Sequence, residues 1–224
     1  MTLVLSRFRL PVFSEAPVFR HLARLLLAAS LVAAAPLRAQ TPFTFVDGGS
    51  VSAFGYLVGP YNGIMGAGSS AQNVFLYCVD FEHHIANGEL WSANLTNLGT
   101  GVGVGTNTRS ANLTLYRQAA WLSTQYALHP AATADIQATI WNLFTVAAGA
   151  QPSSGFWLTQ AQTNYGSLDY SSFLVVTDVN RALESSAQEF IVVTPEPATI
   201  ALLGTGLLVV FGAATRRQRK RRDA

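Results

Sequence analysis

Residues 74–81 read Val-Phe-Leu-Tyr-Cys-Val-Asp-Phe. In an extended chain, alternate side chains point to opposite faces. Val74, Leu76 and Cys78 then share one face, and Phe75, Tyr77, Val79 and Phe81 share the other. Both faces are apolar, so this stretch reads as a strand buried on both sides. Toward the N-terminus, Phe43–Val46 and Val51–Tyr61 are also rich in aromatic and β-branched residues, with glycine-rich breaks between them. Toward the C-terminus, Gly99–Thr108 (Gly-Thr-Gly-Val-Gly-Val-Gly-Thr-Asn-Thr) lacks the Lys-Ser/Thr of a phosphate loop and follows no clear strand. It reads as a flexible connection.

Helical periodicity takes over beyond it. In Ala111–Ala127, Leu115, Ala119, Leu122 and Tyr126 recur at helical spacing. A second helix is expected from Thr133, which suits a cap, with Asp135 in its first turn and Gly149 at its end. Ile136, Ile140, Leu143 and Ala147 form one stripe; Gln137, Trp141, Phe144 and Ala148 form another beside it. A helix apolar over so much of its girth is buried. Gln137 therefore sits in apolar company, where an unpaired amide is costly. Phe156–Tyr165 suggests a short helix, and Phe173–Thr177 and Glu189–Val193 read as strands. The fold class expected is α+β: a compact domain of β-strands, as a sandwich or barrel, with two buried helices. A C-terminal transmembrane helix completes the chain.

The chain has 224 residues and a net charge of +2. That figure hides a strong asymmetry. Basic residues crowd both ends, whereas the span from Gln40 to Pro197 keeps only Arg109, Arg117 and Arg181 against ten acids, a net −7. A basic chain would suggest nucleic acid, but here the basic residues lie outside the central domain, so no nucleic-acid partner is expected. The central span contains no lysine.

The ends read as addresses. In residues 1–39, an arginine-bearing stretch precedes the apolar run Leu25–Ala35, which is too short to span a bilayer. Pro36 and the small Ala39 follow, as in a secretory signal cut ahead of Gln40. The exported domain then occupies 40–193. In 194–224, Pro195-Glu196-Pro197 precedes the uncharged run Ala198–Ala214, long enough to span a membrane. Arg216, Arg217, Arg219, Lys220, Arg221 and Arg222 follow and should stay cytoplasmic, leaving the domain outside. This three-part order resembles the PEP-CTERM sorting signal of Gram-negative bacteria that make extracellular polysaccharide. The resemblance implies cleavage near Pro195-Glu196-Pro197 by exosortase, a membrane enzyme. It implies an inner-membrane-anchored precursor, then a cell-envelope, surface or matrix destination.

Cys78 is the lone cysteine. It excludes an internal disulfide and any site built on several thiolates. One reading is a small buried hydrophobe. The other comes from the surrounding motifs. Tyr77-Cys78-Val79-Asp80 resembles the cysteine motif of bacterial thioester domains found on surface adhesins. Ile136-Gln137-Ala138-Thr139-Ile140-Trp141 resembles their Thr-Gln-x-Ala-Ile/Val-Trp motif, with Ile136 for Thr and Thr139 for Ala. Gln118-Ala119-Ala120-Trp121 is a looser match to a middle motif, which makes Gln118 a reserve partner. The resemblance implies an internal thioester between Cys78 and Gln137, shielded by Tyr77 and Trp141, that captures an amine-bearing target. His83 and His84 are candidates for proton transfer. No Ser-His-Asp set emerges, no metal or cofactor is called for, and no enzymatic turnover is expected. The alternative is a non-reactive structural or matrix protein with a free buried Cys78.

Overall fold

The structure is a computed structural model that describes residues 40–145 and 149–194. The expected signal peptide at 1–39, the transmembrane helix at 198–214 and the basic tail lie outside the described residues. So do Pro195, Glu196 and Pro197.

The described residues form eight strands: β1 (Thr41–Asp47), β2 (Ser52–Ala53), β3 (Tyr56–Leu57), β4 (Pro60–Met65), β5 (Gln72–Cys78), β6 (Leu90–Asn97), β7 (Phe173–Asp178) and β8 (Phe190–Val193). Six of them close an antiparallel barrel in the order β1-β4-β5-β8-β7-β6, with β6 returning to β1. Phe43 faces Met65 across one seam and Trp91 across the other. Cys78 faces Phe190 at the end of the β5–β8 ladder.

Strand alternation sorts side chains into two cores. Phe43, Phe45, Tyr61, Leu76, Cys78 and Phe190 belong to one buried group. Neighbours on the same strands, Phe173, Val175 and Ile191, belong to a second group with the helices. A six-stranded barrel is narrow enough for side chains to fill it. Each wholly buried residue such as Leu76 or Phe190 contributes roughly 1.5–3 kcal/mol relative to exposure. The barrel is tight at Gly63, where a Cβ would lie 2.6 Å from Leu76 Cδ1.

The helical layer is inserted between β6 and β7. It comprises α1 (Leu113–Ser123), the single turn α2 (Gln125–Leu128), α3 (Thr133–Phe144) and α4 (Phe156–Asn164). Asn112 caps α1 by accepting from the backbone N–H of Thr114 and Leu115, which satisfies orphan donors of the first turn. Helix α3 joins both cores: Ala138 and Trp141 pack with the barrel group, Ile136 and Ile140 with the helical group.

Among the described residues there are three helices of nine or more residues: the two expected as buried, and α4, which answers the short helix expected over Phe156–Tyr165. Several expectations need correction. Val51–Tyr61 is not one strand. Phe54 and Gly55 both take positive φ, 58° and 84°, as a two-residue hairpin turn requires, so the run breaks into β2, β3 and the start of β4. Strand β5 is not buried on both faces, because Phe75 is 58% exposed. Strand β6 precedes the glycine-rich segment. That segment is fastened by Arg117 donating to Leu98 O and Gly99 O and by Arg181 donating to Thr108 O. Ala132, not Thr133, is the N-cap of α3; Thr133 donates from Oγ1 to Pro130 O. Helix α3 ends at Phe144, and Ala147 and Ala148 lie outside the described residues.

Candidate functional site

Strand β5 delivers Cys78 to the end of its ladder, and α3 lies across it. The Gln137 side chain donates from Nε2 to Cys78 O at 2.8 Å and accepts at Oε1 from Tyr126 Oη at 2.7 Å. One turn along α3, Trp141 donates from Nε1 to Cys78 Sγ at 3.4 Å. The i, i+4 spacing of Gln137 and Trp141 puts both over the same residue. The thiol donates to Asp80 O at 3.2 Å. Cys78 and Gln137 are wholly buried. The thiol and the amide motif, 59 residues apart in sequence, therefore converge.

This network fixes the amide orientation. Turning the amide over would set Oε1 against the Cys78 carbonyl oxygen, acceptor against acceptor. Burial, the largest influence, pushes the Cys78 thiol up to about 12; the Trp141 hydrogen bond acts in the opposite direction. At neutral pH the group is a thiol, not a thiolate. Tyr126 is likewise pushed well above the ordinary phenol value by burial, so its hydroxyl remains a donor.

Aromatic side chains close the site. Trp141 packs edge-on against Phe81 at 5.1 Å and against Tyr56 of β3 at 5.9 Å. Tyr56 also meets Phe81. Tyr77 lies on the opposite face of β5 from Cys78 and stacks on Tyr126 at 5.7 Å. Of the two shielding candidates, Trp141 touches the sulfur directly and Tyr77 acts through Tyr126. Gln118 is buried on α1, but the amide on Cys78 is that of Gln137.

A polar node braces the strand just beyond Cys78. Asp80 accepts from His83 Nδ1, from the backbone N–H of Glu82 and His83, and from Glu189 N. It pairs with Arg109 Nε at 2.8 Å. Arg109 also contacts His83 Nε2 at 3.2 Å and donates to Arg181 O, Ser186 Oγ and Ala187 O. Because arginine only donates, His83 Nε2 accepts and the ring proton sits on Nδ1. Both nitrogens of His83 are thus engaged away from the thiol, and His84 is exposed. Buried Glu189 accepts from Tyr116 Oη, Thr177 Oγ1 and Arg109 N at 2.5–2.9 Å. Burial raises its carboxyl above the usual range. Sequence reasoning assigned no role to Tyr126, Arg109 or Glu189, which approach the site from distant segments. Asp80, inside the quoted cysteine motif, was the one available signal. No group of three or more His, Cys, Asp and Glu side chains able to hold a metal occurs among the described residues.

Residues 193–220 match the PEP-CTERM protein-sorting motif. The match takes in Pro195, Glu196, Pro197 and the basic residues from Arg216 to Lys220. It marks the chain as an exported protein processed at the membrane of a Gram-negative bacterium through exosortase. No curated protein and no solved structure matches the chain.

Proposed function

We propose that the exported domain attaches covalently to amine-bearing partners through an internal thioester between Cys78 and Gln137. The observation that carries this reading is the Gln137 carboxamide hydrogen-bonded to the backbone carbonyl of Cys78, with both residues wholly buried. Holding both groups on a strand and a helix replaces a bimolecular encounter with a local one. In the forming step, Cys78 Sγ bonds to Gln137 Cδ and the Cδ–Nε2 bond breaks. Ammonia leaves with the thiol proton. The thiol proton, donated to Asp80 O in the resting site, passes to the departing nitrogen as the carbon–sulfur bond forms. Exclusion of water protects the product from hydrolysis. In the capture step, an incoming amine bonds to Cδ, the C–S bond breaks, and the sulfur recovers a proton. The result is one covalent link per molecule, without turnover.

The sorting signal supplies the setting: a domain released from the membrane at the cell envelope, surface or extracellular matrix would meet external amines there. The absence of lysine from 40–197 supports the reading, since the domain offers no side-chain amine to its own ester. The competing reading is a non-reactive structural or matrix protein in which Cys78 stays a buried thiol. Intact mass of the purified exported domain decides between them. A thioester makes the protein lighter by one ammonia, and methylamine then adds its full mass at Gln137. Full mass, no methylamine adduct and thiol labelling at Cys78 after unfolding would establish the competing reading.

A further inference from the structure

We propose that Tyr126 is a catalytic residue of the site, donating its hydroxyl hydrogen to Gln137 Oε1 as negative charge develops there. This rests on the thioester reading and assigns to a specific group the charge stabilisation which that chemistry requires. When Sγ adds to Cδ, the carbonyl π electrons move onto Oε1 and a tetrahedral centre forms. The charge returns to a carbonyl when Nε2 departs as ammonia with the thiol proton. Amine capture passes through the same charged oxygen before the C–S bond breaks. Every step therefore loads one atom, and Tyr126 Oη lies 2.7 Å from it.

Three features suit Tyr126 to this task. First, the donor is fixed before reaction: its ring is 4% exposed and stacks on Tyr77 with an interplanar angle of 17°. A donor already aimed at the developing charge needs no reorganisation. Second, its environment is dry, which strengthens the interaction as charge grows more than it strengthens the bond to a neutral carbonyl. Third, burial keeps the phenol protonated. The companion contact, Nε2 to Cys78 O, turns the leaving nitrogen toward β5 and the oxygen toward Tyr126. A hydroxyl placed merely to satisfy a buried amide would leave the rate of chemistry unchanged.

The test compares wild type with Tyr126→Phe, using intact mass and the rate of methylamine capture. Loss of one such donor slows reaction by about 10²–10³-fold. Tyr126→Phe should therefore be isolated with much of the chain at full mass, and its thioester fraction should capture methylamine more slowly by that factor. Tyr170→Phe, which removes another buried hydroxyl far from Cys78 (its partners are Arg117 O and Tyr165 O), should capture at the wild-type rate. Incorporation of 3-fluorotyrosine at position 126 keeps shape and donor while making the phenol a stronger donor, and should accelerate capture. This second arm decides the matter if Tyr126→Phe does not fold. Wild-type capture rates in folded Tyr126→Phe, or no response to fluorination, overturn the proposal. A wild-type protein of full mass that ignores methylamine overturns the thioester reading itself, a distinct result.

Discussion

On the proposed thioester reading, opening the bond should cost the domain a measurable part of its stability, because the bond would also be a cross-link. It would tie the end of β5 to α3 across 59 residues of chain. The loop-closure treatment used for disulfides gives about 4 kcal/mol for a loop of that length. For a domain of this size, each kcal/mol moves the melting temperature by about 2–4 °C. Methylamine-treated protein should therefore melt about 8–16 °C below untreated protein. Cys78→Ala, which never forms the bond, should melt near the treated protein, lowered slightly more by the lost sulfur contact to Trp141. The assay is thermal unfolding followed by circular dichroism, with intact mass confirming the bond state of each sample. Equal melting temperatures in samples of proven, different bond state would refute the loop-closure reasoning. They would mean that residual contacts already restrain this loop in the unfolded ensemble.

Five further outcomes follow, four from the site and one from the sorting motif. Asp80→Asn leaves Arg109 without its buried carboxylate and should destabilise the domain by about 3–5 kcal/mol in urea unfolding; a loss under 1 kcal/mol would show the node to be dispensable. Burial holds the Glu189 proton in the folded state above 4.5, the ordinary value at which the unfolded chain releases it. Wild-type stability should therefore fall as pH rises from 4.5 through the raised folded value and then level off, and Glu189→Gln should lack that decline. Burial pushes the folded Cys78 thiol up from 9 to about 12, so iodoacetamide should label a free Cys78 in folded protein about 10³-fold more slowly than in urea; rapid native labelling would contradict its burial. The folded thiol also keeps its proton between those values, so stability should decline as pH rises from 9 to 12. Replacing Pro195-Glu196-Pro197 with alanines should leave a membrane-held precursor in cell fractions, whereas normal processing would place the recognition elsewhere in 193–220.

The local elements were legible where one periodicity ruled a segment. Strands β5, β7 and β8 and helices α1, α3 and α4 follow alternation or helical spacing closely. Strand β6 escaped notice because Ser92, Asn94 and Asn97 dilute its apolar content. Its inward set, Trp91, Ala93 and Leu95, nonetheless alternates faithfully. Val51–Tyr61 misled for the opposite reason: high β-propensity concealed a turn set by Gly55 and an unusual positive φ at Phe54, and propensity reports side chains better than backbone handedness. Phe75 is exposed although 74–78 is apolar throughout, whereas Tyr77 on the same face stacks on Tyr126. Of the site, Cys78, Gln137 and Trp141 were visible as motifs. Tyr126, Arg109 and Glu189 were not, because closure of the barrel and insertion of the helical layer between β6 and β7 bring them together.

The arginines give the missing lysines their meaning. A domain of low charge has few lysines for trivial reasons, so the absence carries weight only if geometry does not already require it. Arg109 spreads three nitrogens over Asp80, His83, Arg181 O, Ser186 and Ala187 O. Arg117 sends Nε and a terminal nitrogen to Leu98 O while its guanidinium lies 5.2 Å from the Tyr170 ring centre. Those two positions need a planar fork that an ammonium does not supply. Arg181 reaches its carbonyls through a single nitrogen, a task within a lysine's means. The exposed loops make no such demand at all. Lysine is thus missing from positions where structure does not forbid it as well as from positions where it does. Fold geometry explains two of the three cations, and the thioester proposed at Gln137 would supply a chemical reason for the rest of the pattern. With no lysine in the domain, any side-chain amine that reached the proposed ester would belong to another molecule.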